Sequence, residues 1–209
     1  MEEYLCCTSF IDCDHPSVKE KAEDLTKGRE RVIDKSVSLF YFVRDEIKYN
    51  PYLFTTVAEN LRATATLQKG EGFCVQKAVL LAALSRSVGI PARLRFADIK
   101  NYIVPQKLVK MMPTDLFLWH CYNELYVDGK WLKVTPSFDI KMCRENQIAP
   151  VEFDGKKDSV FHSHTLDGRL HIEYIRDHGH YRDVPLDEIQ DCYRCVEKDK
   201  EGGESQLKS

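Results

Sequence analysis

"GEGFCVQKAVLLAALSRSVGIPARL" occupies residues 70–94, and its reading fixes how the rest of the chain is placed. Gly70 and Gly72 come just before Cys74, and an apolar run starts directly after it. Val75, Val79, Leu80, Ala83 and Leu84 cover most of the circumference of a helix, which predicts a buried helix from Cys74 to about Val88. Gly89 suits the position just past the helix end, and Pro91 forbids continuation. A cysteine in the first turn of such a helix has two readings. It can fill space as a small apolar residue. Or it can act as a nucleophile: the partial positive charge and free N–H groups of a helix start favour a thiolate and can hold a developing oxyanion.

Outward from this helix, the chain reads as one domain. Its 209 residues are 43% hydrophobic and 30% charged, enough for one sizeable core. Pro16 opens a polar helical stretch to about Lys27, and the apolar spacing from Glu30 to Tyr49 fits an amphipathic helix stopped by Asn50-Pro51-Tyr52. Thr56 to Lys69 reads as a short helix and "PARLRFADI" as a strand. Asp128-Gly129 joins two β-rich runs in "DLFLWHCYNELYVDGKWLKVTPSFD", a strong type I′ hairpin signal. A further strand at Leu170–Ile175 and a short helix near Leu186 complete a domain over residues 1–195. The remainder, 196–209, reads as a disordered tail.

The charge balance argues against two partner classes. A net charge of -3 gives no electrostatic footprint for nucleic acid or an anionic membrane, and no apolar run spans a bilayer. "MEEYLCCTSF" lacks the apolar core of a secretory signal, so the expectation is a cytoplasmic protein with all eight cysteines as reduced thiols.

A nucleophilic cysteine needs a base. The hairpin supplies the candidate, His120. With Asp128 and Gly129 as turn residues, Val127 pairs with Lys130 and Tyr126 with Trp131, which sets His120 opposite Ser137. His120 then shares a polar face with Tyr122, Glu124 and Thr135, while Cys121, Leu125, Val127, Leu132 and Val134 form the apolar face. An orienting partner would come from the cross-strand diagonals, Thr135 or Asp139. Gln76, in the first helical turn, is read either as a cap or as a substrate contact; Tyr122 is a candidate cleft residue and Trp119 a core one.

"GEGFCVQKAVLLAALSRSVGIPARL", "WHCYNELYVDGKW" and "KVTPSFD" together resemble the transglutaminase-like superfamily, permuted relatives of papain-like cysteine enzymes, over about Leu61 to Asp139. The resemblance implies an α+β fold in which an antiparallel sheet packs against the Cys74 helix. It also implies acyl transfer through a thioester, with Cys74 as nucleophile, His120 as base and the Cys74 backbone N–H as oxyanion donor. Gln68 stands upstream as a glutamine does in papain-like enzymes. One departure is plain: the family pattern carries an aspartate where this chain has Thr135. Thr135 could orient the imidazole, Asp139 could replace the acid, or the cleft could be a degenerate one that binds a peptide or protein without catalysis. The resemblance favours a hydrolase acting on a peptide or related amide, with peptide or protein as substrate and no cofactor or metal.

Two other features compete. Five of the seven histidines lie between His162 and His180, yet without H-E-x-x-H or a common closed-site spacing they read as a polar loop. Cys192 and Cys195 form a single C-x-x-C, and the other tight pair, Cys6-Cys7, is adjacent and poorly arranged for one metal.

Overall fold

A computed structural model describes residues 1–112, 114 and 116–206. Seven helices and six strands are described: α1 (Pro16–Thr26), α2 (Val32–Tyr41), β1 (Lys48–Tyr49), α3 (Ala63–Lys69), β2 (Glu71–Gly72), α4 (Cys74–Ser87), β3 (Ala92–Asn101), α5 (Gln106–Met111), β4 (Leu116–Val127), β5 (Lys130–Val134), α6 (Ile140–Glu145), β6 (Ile172–Tyr181) and α7 (Leu186–Gln206). The main sheet runs β5-β4-β3-β6 with antiparallel neighbours throughout, and β1 and β2 form a separate short parallel pair. This is the α+β architecture expected from the sequence.

α4 is the centre of the core. Every residue from Val75 to Arg86 is buried, as a helix apolar on nearly all sides requires. Its few polar side chains are tied inward. Lys77 donates from Nζ to the carbonyls of Arg44 and Ile47, and Arg86 reaches the carbonyls of Cys6, Ala92 and Arg182. Burial pulls the Lys77 amine down to about 7, against the opposing pull of Asp139 and Asp45.

The hairpin has the register read from the sequence. Val127 faces Lys130, Tyr126 faces Trp131, and both turn residues have positive φ, 46° at Asp128 and 85° at Gly129. Cys121, Leu125, Val127, Leu132 and Val134 are buried as predicted. The opposite face differs from expectation, because Tyr122 and Glu124 are buried too. Glu124 is neutralised there by Arg93 at 2.6 Å and Arg95 at 3.1 Å.

Three further differences have physical causes. The helix expected through Tyr49 stops at Tyr41, continues as one π-turn (Phe42–Glu46) and yields to β1; the Lys77 amine binds the carbonyls this change frees. Cys7 and Cys13 are joined in a disulfide, so not all cysteines are free thiols. α7 runs to Gln206 where a short helix near Leu186 was expected; Ile189 and Tyr193 anchor its first turns on the core. Residues 207–209 lie outside the described residues. Among the described residues no helix is long and apolar enough to cross a membrane.

Candidate active site

The two glycines before Cys74 have separate jobs. Gly70 ends α3 in the left-handed region, with φ 69° and its N–H on the Thr66 carbonyl. Gly72 is packed from the side: a Cβ there would sit 3.0 Å from Cβ of Gln76 and 3.3 Å from the Thr66 methyl. Gln76 occupies that space because its Oε1 accepts the Phe73 N–H at 3.1 Å, capping α4, while its Nε2 donates to the Asn60 carbonyl at 2.8 Å. Gln76 is thus the cap of the helix that presents Cys74.

Cys74 is half-buried at the first residue of α4, in a cleft of about 310 Å³. His120 lines the same cleft from β4, so the structure brings these two residues to one site. Among the described residues no hydrogen bond joins them. Around the thiol stand the backbone N–H groups of Cys121, Val75 and Cys74 itself. Those donors favour a thiolate, as a helix start should, but burial outweighs them and raises the thiol to about 11. Burial also lowers the His120 imidazole to about 3. The resting pair is therefore a neutral thiol and a neutral imidazole, whereas the helix start alone led us to expect a stabilised thiolate.

The His120 ring lies among aromatic rings, 5.1 Å from Phe161 and 6.1 Å from Tyr122 in stacked arrangements. Its Nε2 is buried without a hydrogen-bond partner among the described residues. Neither proposed orienter bonds to it there. Thr135 is buried beside the Tyr174 hydroxyl, with its backbone N–H on the Ser159 carbonyl. Both oxygens of Asp139 are engaged, one by the Met142 N–H at the start of α6 and the other by the Tyr49 N–H, each at 2.8 Å. The Asp139 carboxylate thus caps α6 and holds β1 in place.

The remaining sequence candidates lie elsewhere. Gln68 is exposed on α3, away from the cleft. Tyr122 lines a second, shallower depression with Lys133, Tyr174 and Asp177. Among the described residues no three His, Cys, Asp or Glu side chains gather as a metal set. In the histidine-rich stretch, His162, His164 and His180 are exposed and His171 is buried.

One cluster escaped the sequence reading. Between Ala97↔His120 and Ile99↔Phe117 the β3–β4 ladder shifts register, so β4 carries one extra residue immediately before His120. Trp119 takes up that residue with φ 55°, a conformation costly for a bulky side chain, on the order of 1–3 kcal/mol. Asp98 holds it there. The Asp98 Oδ1 accepts the Trp119 N–H at 3.0 Å and meets Nε2 of His178 at 2.8 Å, and the His178 ring stacks on Trp119 at 4.2 Å. A bulge leaves no trace in hydrophobic alternation, so only the unusual run Leu118-Trp119-His120 could have pointed to it.

The C-terminal helix closes one side of the cleft. Leu186, Ile189 and Tyr193 line it; the Tyr193 hydroxyl donates to the Leu118 carbonyl and Gln190 donates to the Thr56 carbonyl, each at 3.2 Å.

The family model for the transglutaminase-like superfamily matches residues 19–136, more than half of the chain, from within α1 through both candidate residues. The chain belongs to that superfamily. Among solved structures it is similar to a candidate cysteine protease from Cytophaga hutchinsonii, with a TM-score of 0.52 and 19% identity over 86% of this chain. The same superposition spans 46% of that protein, so this chain covers under half of its length. A weaker similarity joins it to the periplasmic domain of TgpA from Pseudomonas aeruginosa, with a TM-score of 0.45 and 20% identity over 63% of this chain and 46% of that one. At 19% identity the first of these superpositions speaks to fold alone. No curated protein matches the sequence.

Proposed function

We propose that this superfamily member is a cysteine-dependent hydrolase of a peptide or related amide. The observation that carries the reading is the half-buried Cys74 thiol at the start of α4, in one cleft with the imidazole of His120. Cys74 Sγ attacks the carbonyl carbon while the imidazole of His120, which lines the same cleft, accepts the thiol proton. The carbonyl electrons move onto oxygen, near the N–H groups at the start of α4. Collapse expels the amine, which takes the proton from His120, and leaves a Cys74 thioester. Water, activated by the neutral imidazole, then releases the acid; an amine in its place would make the same protein a transferase.

Because both groups rest neutral, the proton moves during attack rather than before it. Alkylation of Cys74, followed by mass spectrometry against the other free thiols, is expected to be slow at pH 6 and to rise towards alkaline pH. Turnover of an amide or ester substrate should be lost in Cys74→Ser. Full turnover in that variant would end the mechanism.

A second reading draws on a specific observation: the Asp139 carboxylate is engaged by the Tyr49 and Met142 N–H groups, and among the described residues no carboxylate bonds to His120. In that reading the cleft binds a peptide or protein segment without cleaving it. Tight peptide binding that leaves the peptide intact after prolonged incubation, with no Cys74 thioester detectable, would favour it.

A further inference from the structure

The walls of the cleft have one chemistry. Tyr49, Phe54, Phe73, Leu116, Leu118 and Ile189 present rings and branched aliphatic chains to the space in front of Cys74. Among its described lining residues there is no Asp, Glu, Lys or Arg. The polar side-chain groups of the lining residues are hydroxyls, the thiol, the imidazole and the Trp119 indole N–H, and one hydroxyl, that of Tyr193, is already committed to the Leu118 carbonyl. The aromatic part of the wall is packed as a set: Phe54 lies 4.8 Å from Tyr193 and 5.6 Å from Phe73, with tilted and edge-on rings. The volume, about 310 Å³, lies at the low end of the roughly 300–1,000 Å³ typical of small-molecule clefts. It suits one large side chain or a compact acyl group better than several residues of an extended chain.

Resting on the function proposed above, we infer that the acyl group delivered to Cys74 is uncharged and apolar, carrying one aromatic or long aliphatic side chain next to the reacting carbonyl. A carboxylate or ammonium in this space would lose its water and find no countercharge on the described walls. A primary carboxamide such as that of glutamine would bring two N–H donors to walls made mostly of rings and aliphatic chains. An apolar chain gains by displacing water from the same walls. α7 makes this a specificity device, because Leu186 and Ile189 close the side that would otherwise be open.

The test uses the full chain and matched acetyl-aminoacyl chloromethyl ketones that differ in one side chain: Phe, Leu, Gln, Lys and Asp. In each, Cys74 sulfur bonds to the methylene carbon, chloride leaves and the thiol proton is released. Rates of Cys74 modification are read by mass spectrometry and divided by the iodoacetamide rate of the same protein. The Phe and Leu reagents are expected to react at least about 100-fold faster than the Lys and Asp reagents and faster than the Gln reagent, in line with what pocket contacts of this kind discriminate. Phe54 is about half exposed, at 48%, so Phe54→Arg is a variant the fold should accept. It should shrink the Phe preference and raise the relative rate of the Asp reagent. Equal rates across the series, or a Gln or charged reagent leading it, would overturn the inference. So would failure of every ketone to modify a Cys74 that iodoacetamide still reaches. The two proposals separate cleanly. A strong Phe preference without turnover of any matched Phe amide or ester retains the apolar site and rejects catalysis. Cys74-dependent turnover with a flat reagent series retains catalysis and rejects the apolar site.

Discussion

Two polar corners meet at residues 119 and 120, and they are built in opposite ways. At the Asp98 corner, a buried carboxylate takes the Trp119 N–H and the His178 imidazole at once, and the His178 ring is stacked in place. At the Cys74 corner, Nε2 of His120 is buried without a partner and the thiol meets backbone N–H groups. The first corner spends its hydrogen bonds on holding a bulge of unfavourable φ. The second leaves an imidazole nitrogen unengaged one residue away. Reactive groups need fixed positions and free valences, and a β-bulge lets adjacent residues supply these separately.

The sharpest way to break this comparison is His120→Ala. Removing the base is expected to lower Cys74-dependent turnover by about 10²–10⁴-fold, read as kcat/KM on any amide or ester substrate found. A loss under threefold would mean that the imidazole is part of the packing and the two corners do not differ in role.

Asp98→Ala probes the scaffold corner. It strips the Trp119 N–H and the His178 ring of their common acceptor, so a loss of about 1–3 kcal/mol in denaturant unfolding is expected, together with lower turnover. Unchanged stability would show that the bulge holds itself. Asp98→Asn keeps one acceptor oxygen and should recover part of both losses.

The pH dependence of stability separates the corners further. A free imidazole titrates near 6.5, whereas burial holds His120 at about 3 in the folded chain. Between these values the unfolded chain binds the extra proton, so stability falls as pH drops from about 6.5 towards 3. The slope from this one group reaches at most about 1.4 kcal/mol per pH unit. His120→Gln should flatten that acid limb when midpoints of urea unfolding are compared at successive pH values. An identical limb in both proteins would mean that His120 is charged in the folded state or exposed to water.

The smallest expected effect is that of Gln68→Ala. The residue is exposed on α3, so both stability and turnover should stay within about 0.5 kcal/mol of the starting protein. A large loss in turnover would return Gln68 to the site and require α3 to move.

Where residues could be placed from the sequence, local rules were enough. Asp128-Gly129 set the hairpin and hence the partners of Val127 and Tyr126, because a two-residue turn leaves one register. The apolar run after Cys74 marked a buried helix, and Gly89 and Pro91 marked its end. The site was legible as far as Cys74 and His120 lining one cleft. It was not legible in its electrostatics. The helix start pointed to a stabilised thiolate, but the depth of burial that reverses the outcome depends on walls drawn from β1, α5 and α7. Asp139 illustrates the same limit: a diagonal on the hairpin put it near His120, but the ladder ends at Val134, and beyond it the chain turns so that the carboxylate caps α6.

The sequence by itself determined the hairpin register and the buried helix, since each follows from side-chain period and turn chemistry among near neighbours, while the α+β class followed from the resemblance to the superfamily. Only the tertiary structure decided the Asp98–Trp119 bulge, the Cys7–Cys13 link, the neutral resting state of the pair and the apolar walls of the cleft. Apart from the Cys7–Cys13 link, which spans six positions, these depend on contacts between residues far apart in the chain: residue 98 with 178, and residue 54 with 193. No local pattern encodes such contacts, because burial and hydrogen-bond partners belong to the packed whole.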